Sequence, residues 1–314
     1  MDLSIVVPLF NEEESLPELM AWIDRVLAGR EYEVVFIDDG SRDNSWSVLE
    51  NLSSQYMAKL KAIKLSHNYG KSAGLQKGFE LASGKVVFTM DADLQDSPDE
   101  ILPMEKMLLD EGLDLVSGWK KKRHDPITKT IPTKLYNWMT RRMSGIKLHD
   151  FNCGLKCYRN EVIKAIEVQG EMHRYMPLIA KAAGFDKIGE HVVQHQARKY
   201  GVTKFGVERF TNGMLDLMTI VFVQRFGRKP MHLFGLLGTL TFIVSAAIFC
   251  YIGGYKLYAL NQGIEAKNIT EISGFYIALT GMILGSQLFL SGFIAEMVSR
   301  TDPSRKDYGV SKTI

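Results

Sequence analysis

The chain has 314 residues, 46% of them hydrophobic and 24% charged, with a formal net charge of +2. That near-neutral balance provides no global field that would attract nucleic acid, so nucleic acid is not expected as a partner. Three cysteines, Cys153, Cys157 and Cys250, suit a reducing cytosol; they offer no disulfide framework and lack the second Cys or His pair that zinc spacing requires.

In chain order, residues 3–8 (Leu-Ser-Ile-Val-Val-Pro) read as a buried strand, beginning so early that no signal peptide is expected before Asp2. Leu16, Leu19, Met20, Ile23 and Leu27 carry helical spacing through residues 12–27. A second strand is predicted over 32–37 and a helix over 44–56, with Trp46, Leu49 and Leu52 inward. Strands over 60–65, 86–90 and 113–117 complete the set. Near-continuous apolar strands alternating with helices predict an α/β fold, its sheet largely parallel and covered on both faces. In an open sheet of this kind ligands bind beyond the carboxyl ends of the strands. Four polar clusters fall at those ends: Pro8-Leu9-Phe10-Asn11-Glu12, Asp38-Asp39-Gly40-Ser41, His67-Asn68-Tyr69-Gly70-Lys71 and Asp91-Ala92-Asp93.

The last cluster carries the sharpest chemistry. Two carboxylates one residue apart at a strand end can leave the sheet together and bind one hard divalent cation, Mg²⁺ or Mn²⁺, whose shell a substrate's phosphates complete. Gln95 adds an amide oxygen within reach. Taken alone, the Asp91–Asp93 pair also fits a solvated acidic surface; its place after an apolar strand and beside three other polar tips favours the cation.

Beyond residue 200 the character changes. Residues 231–254 and 272–294 contain no Asp, Glu, Lys or Arg, and each is long enough to cross a hydrocarbon core of roughly 30 Å. Arg225, Arg228 and Lys229 precede the first, and Arg300, Arg305 and Lys306 follow the second. The positive-inside rule therefore predicts both termini in the cytoplasm and the short loop, 256–271, outside. Before the first span, Phe210, Met214, Leu217, Met218 and Val221 follow helical spacing, which suits an ordinary core helix packed on the α/β domain or an amphipathic helix at the membrane interface; the flanking basic residues and the span that follows favour the interface. Gly235, Gly238, Gly281 and Gly285 permit close helix contacts, within the hairpin or between protomers of a homo-oligomer. The basic block Lys120-Lys121-Lys122-Arg123 fits a solvated face and a functional cluster equally well.

Val-Val-Pro-Leu-Phe-Asn-Glu-Glu at 6–13, Ile-Asp-Asp-Gly-Ser-Arg-Asp at 37–43 and Met-Asp-Ala-Asp-Leu-Gln-Asp-Ser-Pro at 90–98 resemble glycosyltransferase family 2, with its GT-A fold, over roughly the first 210 residues. With two C-terminal spans the chain is similar to the polyprenyl-phosphate glycosyltransferases of that family. The resemblance implies that Pro8, Phe10 and Glu12 border the nucleotide base and ribose, that Asp39 contacts the base, and that Lys71 belongs to the nucleotide-sugar site. It implies that Asp91, Asp93 and Gln95 hold the metal and the donor diphosphate, with Asp93 a catalytic residue. Residues 149–159 resemble the family's Asp-to-Gly-hydrophobe-base segment and make Asp150 the candidate that orients or activates the acceptor; the same Asp also fits a turn cap. Residues 198–204 resemble its Arg-x-x-Gly-x-Ser-Lys element, with Thr203 in place of Ser, and imply that Arg198 and Lys204 bind the acceptor phosphate.

The expectation is therefore an enzyme with a GT-A domain at 1–204, an interfacial segment at 205–229, a two-helix hairpin at 230–300 and a cytoplasmic tail at 301–314. It would transfer one sugar, with inversion, from a nucleotide diphosphate sugar, UDP favoured over GDP, to a polyprenyl phosphate at the cytoplasmic face of a bacterial inner membrane. A processive polysaccharide synthase would carry a Gln-x-x-Arg-Trp motif and more spans, and this chain has neither. A non-catalytic membrane scaffold would have no use for the Asp91–Asp93–Gln95 cluster.

Overall fold

A computed structural model of the chain describes residues 1–121, 137–196, 199, 218–219, 222, 226, 229–265 and 267–301. They fall into two compact units, residues 1–218 and 219–314.

The first unit is built on a seven-stranded sheet: β1 (Leu3–Leu9), β2 (Tyr32–Asp38), β3 (Leu60–Lys64), β4 (Val86–Thr89), β5 (Leu115–Trp119), β6 (Lys156–Arg159) and β7 (Ile188–Val192), in the spatial order β3-β2-β1-β4-β6-β5-β7. The first four are mutually parallel, with Leu9 beside Asp38, Asp38 beside Lys64 and Val6 beside Thr89. β7 is parallel to β5. β6 alone runs against both neighbours, pairing Lys156 with Thr89 on one side and with Ser117 on the other. The sheet is thus mostly parallel, as the apolar runs predict, with one reversed strand. That reversal matters for the site, because it sets the amino end of β6 beside the carboxyl ends of β4 and β5.

Helices cover both faces. Leu3, Ile5 and Val7 of β1 pack with α1 (Leu16–Val26), α2 (Ser45–Gln55) and α4 (Ile101–Asp110), through Leu19, Leu49 and Met104 among others. Val6, Val35 and Ile37 face the opposite way, onto α3 (Lys71–Leu81), α5 (Asn160–Ala165) and α6 (Met176–Ala182). A strand buried on both faces needs apolar side chains at successive positions, which is why β1 and β2 read as continuous rather than alternating runs. α1 begins at Leu16 rather than at residue 12, with a proline in its first turn. Residues 11–13 are held instead in a loop: the Asn11, Glu12 and Glu13 amides donate to Ser41 Oγ, Ser45 Oγ and Asp43 Oδ2.

The second unit contains α7 (Pro230–Asn261) and α8 (Ser273–Thr301), both longer than the uncharged runs that announce them. Lys256 therefore lies on α7, and the connection between the helices is confined to 262–272. Their apolar windows have mean hydropathies of 2.2 and 1.7, and only 17% of each window is buried. Leu236, Ile243, Val244, Phe293 and Ile294 are among the apolar side chains left exposed. Both helices are long and apolar enough to cross a membrane. They pack antiparallel on each other through small residues. A Cβ on Gly238 would stand 2.6 Å from the Phe289 amide nitrogen, and one on Gly285 would stand 2.7 Å from that of Phe242. Gly281 lies against Ser245 of α7. These glycines thus serve the hairpin's own seam. The interfacial helix expected over 205–229 falls almost wholly outside the described residues.

Candidate active site

The loops at the carboxyl rim are laced to one another by short polar side chains. Asp38 is fully buried at the end of β2, where its Oδ1 accepts the Ser41 N–H at 2.7 Å. Asn11 Oδ1 accepts the Arg42 N–H at 2.9 Å, joining the loops after β1 and β2. Asp39, 4% exposed, uses both carboxylate oxygens on the next loop, accepting the Tyr69 and Gly70 amides at 2.8 Å each. Its carboxylate therefore shapes the turn that opens α3. Pro8 is the next-to-last residue of β1 at the rim, with Phe10 and Glu12 half-buried in the following loop.

Lys71, the first residue of α3, reaches across this rim and pairs with Asp91 Oδ1. Burial by itself would raise the Asp91 carboxyl, but Lys71, reinforced by Lys120 and His173 nearby, outweighs it and lowers that carboxyl to about 2. The group is thus a carboxylate throughout the physiological range. On its far side, Gly154 comes so close that an added Cβ would lie 2.5 Å from Asp91 Oδ2 and 2.8 Å from its Cγ. Thr89 Oγ donates to the Gly154 carbonyl at 2.9 Å and fixes that approach.

Asp93 and Gln95 flank Leu94, a buried non-glycine residue at φ +60°. The left-handed residue breaks the extended path and turns the chain tightly, so that Asp93 Oδ1 accepts the Gln95 N–H at 3.2 Å. The set Asp91, Asp93 and Gln95 fits a divalent cation that keeps few carboxylates and takes phosphate oxygens for the rest. Among the described residues no group of three or more His, Cys, Asp and Glu side chains suited to a metal occurs, so no all-protein cage competes with this pair.

Asp150 and its neighbours arrive from the reversed strand. Asp150 is 1% exposed; its Oδ1 accepts the Asn152 N–H at 3.0 Å and its own amide donates to Glu190 Oε1 at 3.1 Å. The carboxylate thus closes the turn ahead of β6. Lys156, 3% exposed, donates from Nζ to the Cys153 carbonyl beneath this turn. Burial pulls its pKa down and the Lys71 charge adds to that, while Cys153, Asp150 and Asp91 pull the other way. The Cys153 thiol is itself pushed up to about 12, first by burial and then by the Asp96 charge, so it stays a neutral packing group.

The structure departs from a solvated face at one residue of the 120–123 block, Lys120. Lys121 is exposed beside the Trp119 ring, but Lys120 is 13% exposed and its Nζ lies 2.6 Å from Asp96 Oδ1, a carboxylate with no exposure at all. Lys122 and Arg123 lie outside the described residues, as do Arg198, Thr203 and Lys204. What is described of the 195–204 segment is its start and Lys199: Asp96 and His195 form an isolated antiparallel bridge, the Gln196 amide donates to the Gln95 carbonyl at 2.9 Å, and the Lys199 ammonium pairs with Glu18 at 2.7 Å. The sequence reading takes Gly154 and Lys156 only as the glycine and base of the 149–159 resemblance, names Lys120 only within a basic block, and does not single out His173. That Gly154 and Lys156 stand beside Asp91 depends on which strand runs backwards, while His173 is brought in by a 3-10 turn at 172–174 held to Ser72 of α3.

A mostly parallel α/β sheet, with a carboxylate pair and a lysine on its carboxyl rim and a reversed strand delivering further polar groups to them, defines a GT-A-like protein. The model of the family described as glycosyl transferase family 2 matches residues 4–167, and the chain belongs to that family. It is 35% identical over 308 residues to a dodecaprenyl-phosphate galacturonate synthase of Rhizobium johnstonii, covering 96% of this chain and 88% of that one. It is also 35% identical over 301 residues to an undecaprenyl-phosphate 4-deoxy-4-formamido-L-arabinose transferase of Pseudomonas fluorescens, covering 95% and 84%. Among solved structures, glucosyl-3-phosphoglycerate synthase from Mycobacterium tuberculosis, in complex with Mn²⁺, UDP and glucosyl-3-phosphoglycerate, superposes with a TM-score of 0.54 at 17% identity, over 71% of this chain and 79% of that one. This last likeness is one of fold.

Proposed function

We propose that this protein is a membrane-bound glycosyltransferase that moves one sugar from a nucleotide diphosphate sugar to the phosphate of a polyprenyl phosphate. The observation that carries the reading is the rim constellation itself: the Asp91 carboxylate, paired with Lys71 and backed by Gly154, beside Asp93 and Gln95. Support for the lipid acceptor comes from relatives whose names specify dodecaprenyl and undecaprenyl phosphate, similar to this chain along nearly its whole length. The two apolar helices agree with an acceptor that lives in a bilayer.

In this reading Pro8, Phe10, Glu12 and Asp39 border the nucleoside, and Lys71 stands ready for the diphosphate. Asp91, Asp93 and Gln95 would hold Mg²⁺ or Mn²⁺, which when bound supplies Lewis-acid neutralisation of the departing diphosphate. The acceptor is a phosphate monoester with a second pKa near 6, so at neutral pH it is mainly a dianion and needs no strong base. Asp150, buried and committed to its turn, fits a positioning role better than proton removal. Arg198 and Lys204 would meet the acceptor phosphate as a planar donor fork and a point charge. We further propose the domain limits 1–204, 205–229, 230–300 and 301–314, with the catalytic unit on the cytoplasmic side of a bacterial inner membrane.

The test is to incubate the purified full chain with a panel of UDP- and GDP-sugars and undecaprenyl phosphate, reading the lipid product by mass. A polyprenyl-phosphate sugar, formed with release of nucleoside diphosphate, is the expected result. No lipid product with any donor in the presence of Mg²⁺ and Mn²⁺ would overturn the proposal.

A further inference from the structure

Three separate pieces of backbone meet at the buried pair Asp96–Lys120. Asp96 directly follows Gln95 in the turn that carries Asp93, and Ser97 behind it caps a 3-10 turn by accepting the Asp99 N–H. Lys120 directly follows β5, at Trp119, whose carbonyl accepts the Val193 and Lys121 amides at 3.0 Å each. The third piece is the extension of β7, residues 193–196, which pairs with Asp96 through His195 and with Gln95 through Gln196. The Asp96 carboxylate has no exposure and Lys120 has 13%, with 2.6 Å between Nζ and Oδ1. Buried ion pairs are costly to desolvate, and well-packed apolar side chains in their place are often no less stable. Their best-attested use is to specify one arrangement of the elements they join.

We propose that Asp96 and Lys120 are positioning residues that set the register between the donor turn, 93–95, and the strand extension, 193–196, which continues in sequence toward the acceptor residues. The inference rests on the function proposed above. In that reaction the anomeric carbon loses its bond to the diphosphate oxygen and gains one to the acceptor phosphate oxygen. A slack register admits water instead. A water oxygen then takes the anomeric carbon, its proton passes to solvent, and free sugar and nucleoside diphosphate appear without a lipid product. The ratio of sugar delivered to lipid over sugar delivered to water therefore reports alignment, independently of how much enzyme is folded.

The experiment compares full-length wild type, Lys120→Met, Asp96→Asn and Lys120→Arg in lipid nanodiscs, with one donor and undecaprenyl phosphate. Lipid-linked sugar and free sugar are both counted by mass, and nucleotide binding is measured separately by titration. Lys120→Met and Asp96→Asn should each lower the lipid-to-water ratio about tenfold or more while nucleotide affinity stays within about threefold of wild type. Lys120→Arg, which keeps the charge opposite Asp96, should recover at least part of the ratio. A wild-type ratio in both neutralising variants, even with reduced total turnover, would make the pair merely structural and overturn the inference. If either variant fails to fold, the other together with Lys120→Arg decides by the same ratio. Absence of lipid product in wild type would instead overturn the function reading, and this inference with it.

Discussion

Gly154→Ala is the most pointed perturbation of the candidate site, because it adds one methyl group directly behind Asp91. The Cβ would lie 2.5 Å from Asp91 Oδ2 and 2.8 Å from Cγ. An ordinary contact needs about 3.5 Å, so either the carboxylate or the 153–155 backbone must retreat by about 1 Å. The backbone is pinned by the Thr89 bond to the Gly154 carbonyl and by its continuation into β6. Gly154 has no positive φ, so alanine meets no conformational penalty of its own. The carboxylate is therefore the part that moves, away from its pairing with Lys71. A displacement of about 1 Å at a reacting centre can cost about a hundredfold in rate, roughly 2.7 kcal/mol of barrier. Steady-state kinetics of lipid-linked sugar formation should thus show kcat/KM down about a hundredfold, while overpacking costs only about 1–3 kcal/mol of stability. Circular dichroism and thermal melting establish that the variant is folded. Wild-type kcat/KM in a folded Gly154→Ala protein would refute the claim that Asp91 works from the position described.

Asp93→Ala should abolish transfer and, in titrations of the folded protein, remove the dependence of nucleotide binding on Mg²⁺ or Mn²⁺; full activity of this variant, or of wild type in excess EDTA, contradicts the metal site. Glu33, 1% exposed, is opposed by burial but held by Lys61, Ser4 and Ser83 at about 2 against an ordinary 4.5. Its folded pKa is depressed, so its contribution of about 3 kcal/mol is present above pH 4.5 and is lost as the pH falls toward 2. Urea titrations at pH 7 and pH 3 should show a smaller difference in Glu33→Gln than in wild type, and an unchanged difference would contradict this. With Cys153, Cys157 and Cys250 replaced, a cysteine at Asn261 should react with an impermeant thiol reagent applied to intact cells; labelling only after permeabilisation reverses the proposed topology.

Local patterns were enough for the part of this protein that depends on neighbours in sequence. Continuous apolar runs at 3–8, 32–37 and 86–90 identified strands covered on both faces, because burial on two sides demands apolar residues at successive positions. Polar clusters after those runs marked the rim, because parallel strands all end on the same side of the sheet. The uncharged runs near the end of the chain marked α7 and α8, whose fit to a bilayer is a matter of length and composition. Which distant residues meet was decided by tertiary structure. The reversal of β6 leaves no mark in its four residues, Lys-Cys-Tyr-Arg, because a strand's direction is set by its connections and partners. That reversal brings Asp150, Gly154 and Lys156 to the rim. The same holds for Lys120, which in sequence is one charge among four. Its burial against Asp96 follows from β5 ending beside the 93–96 turn, a closeness between residues 24 positions apart that no periodicity encodes.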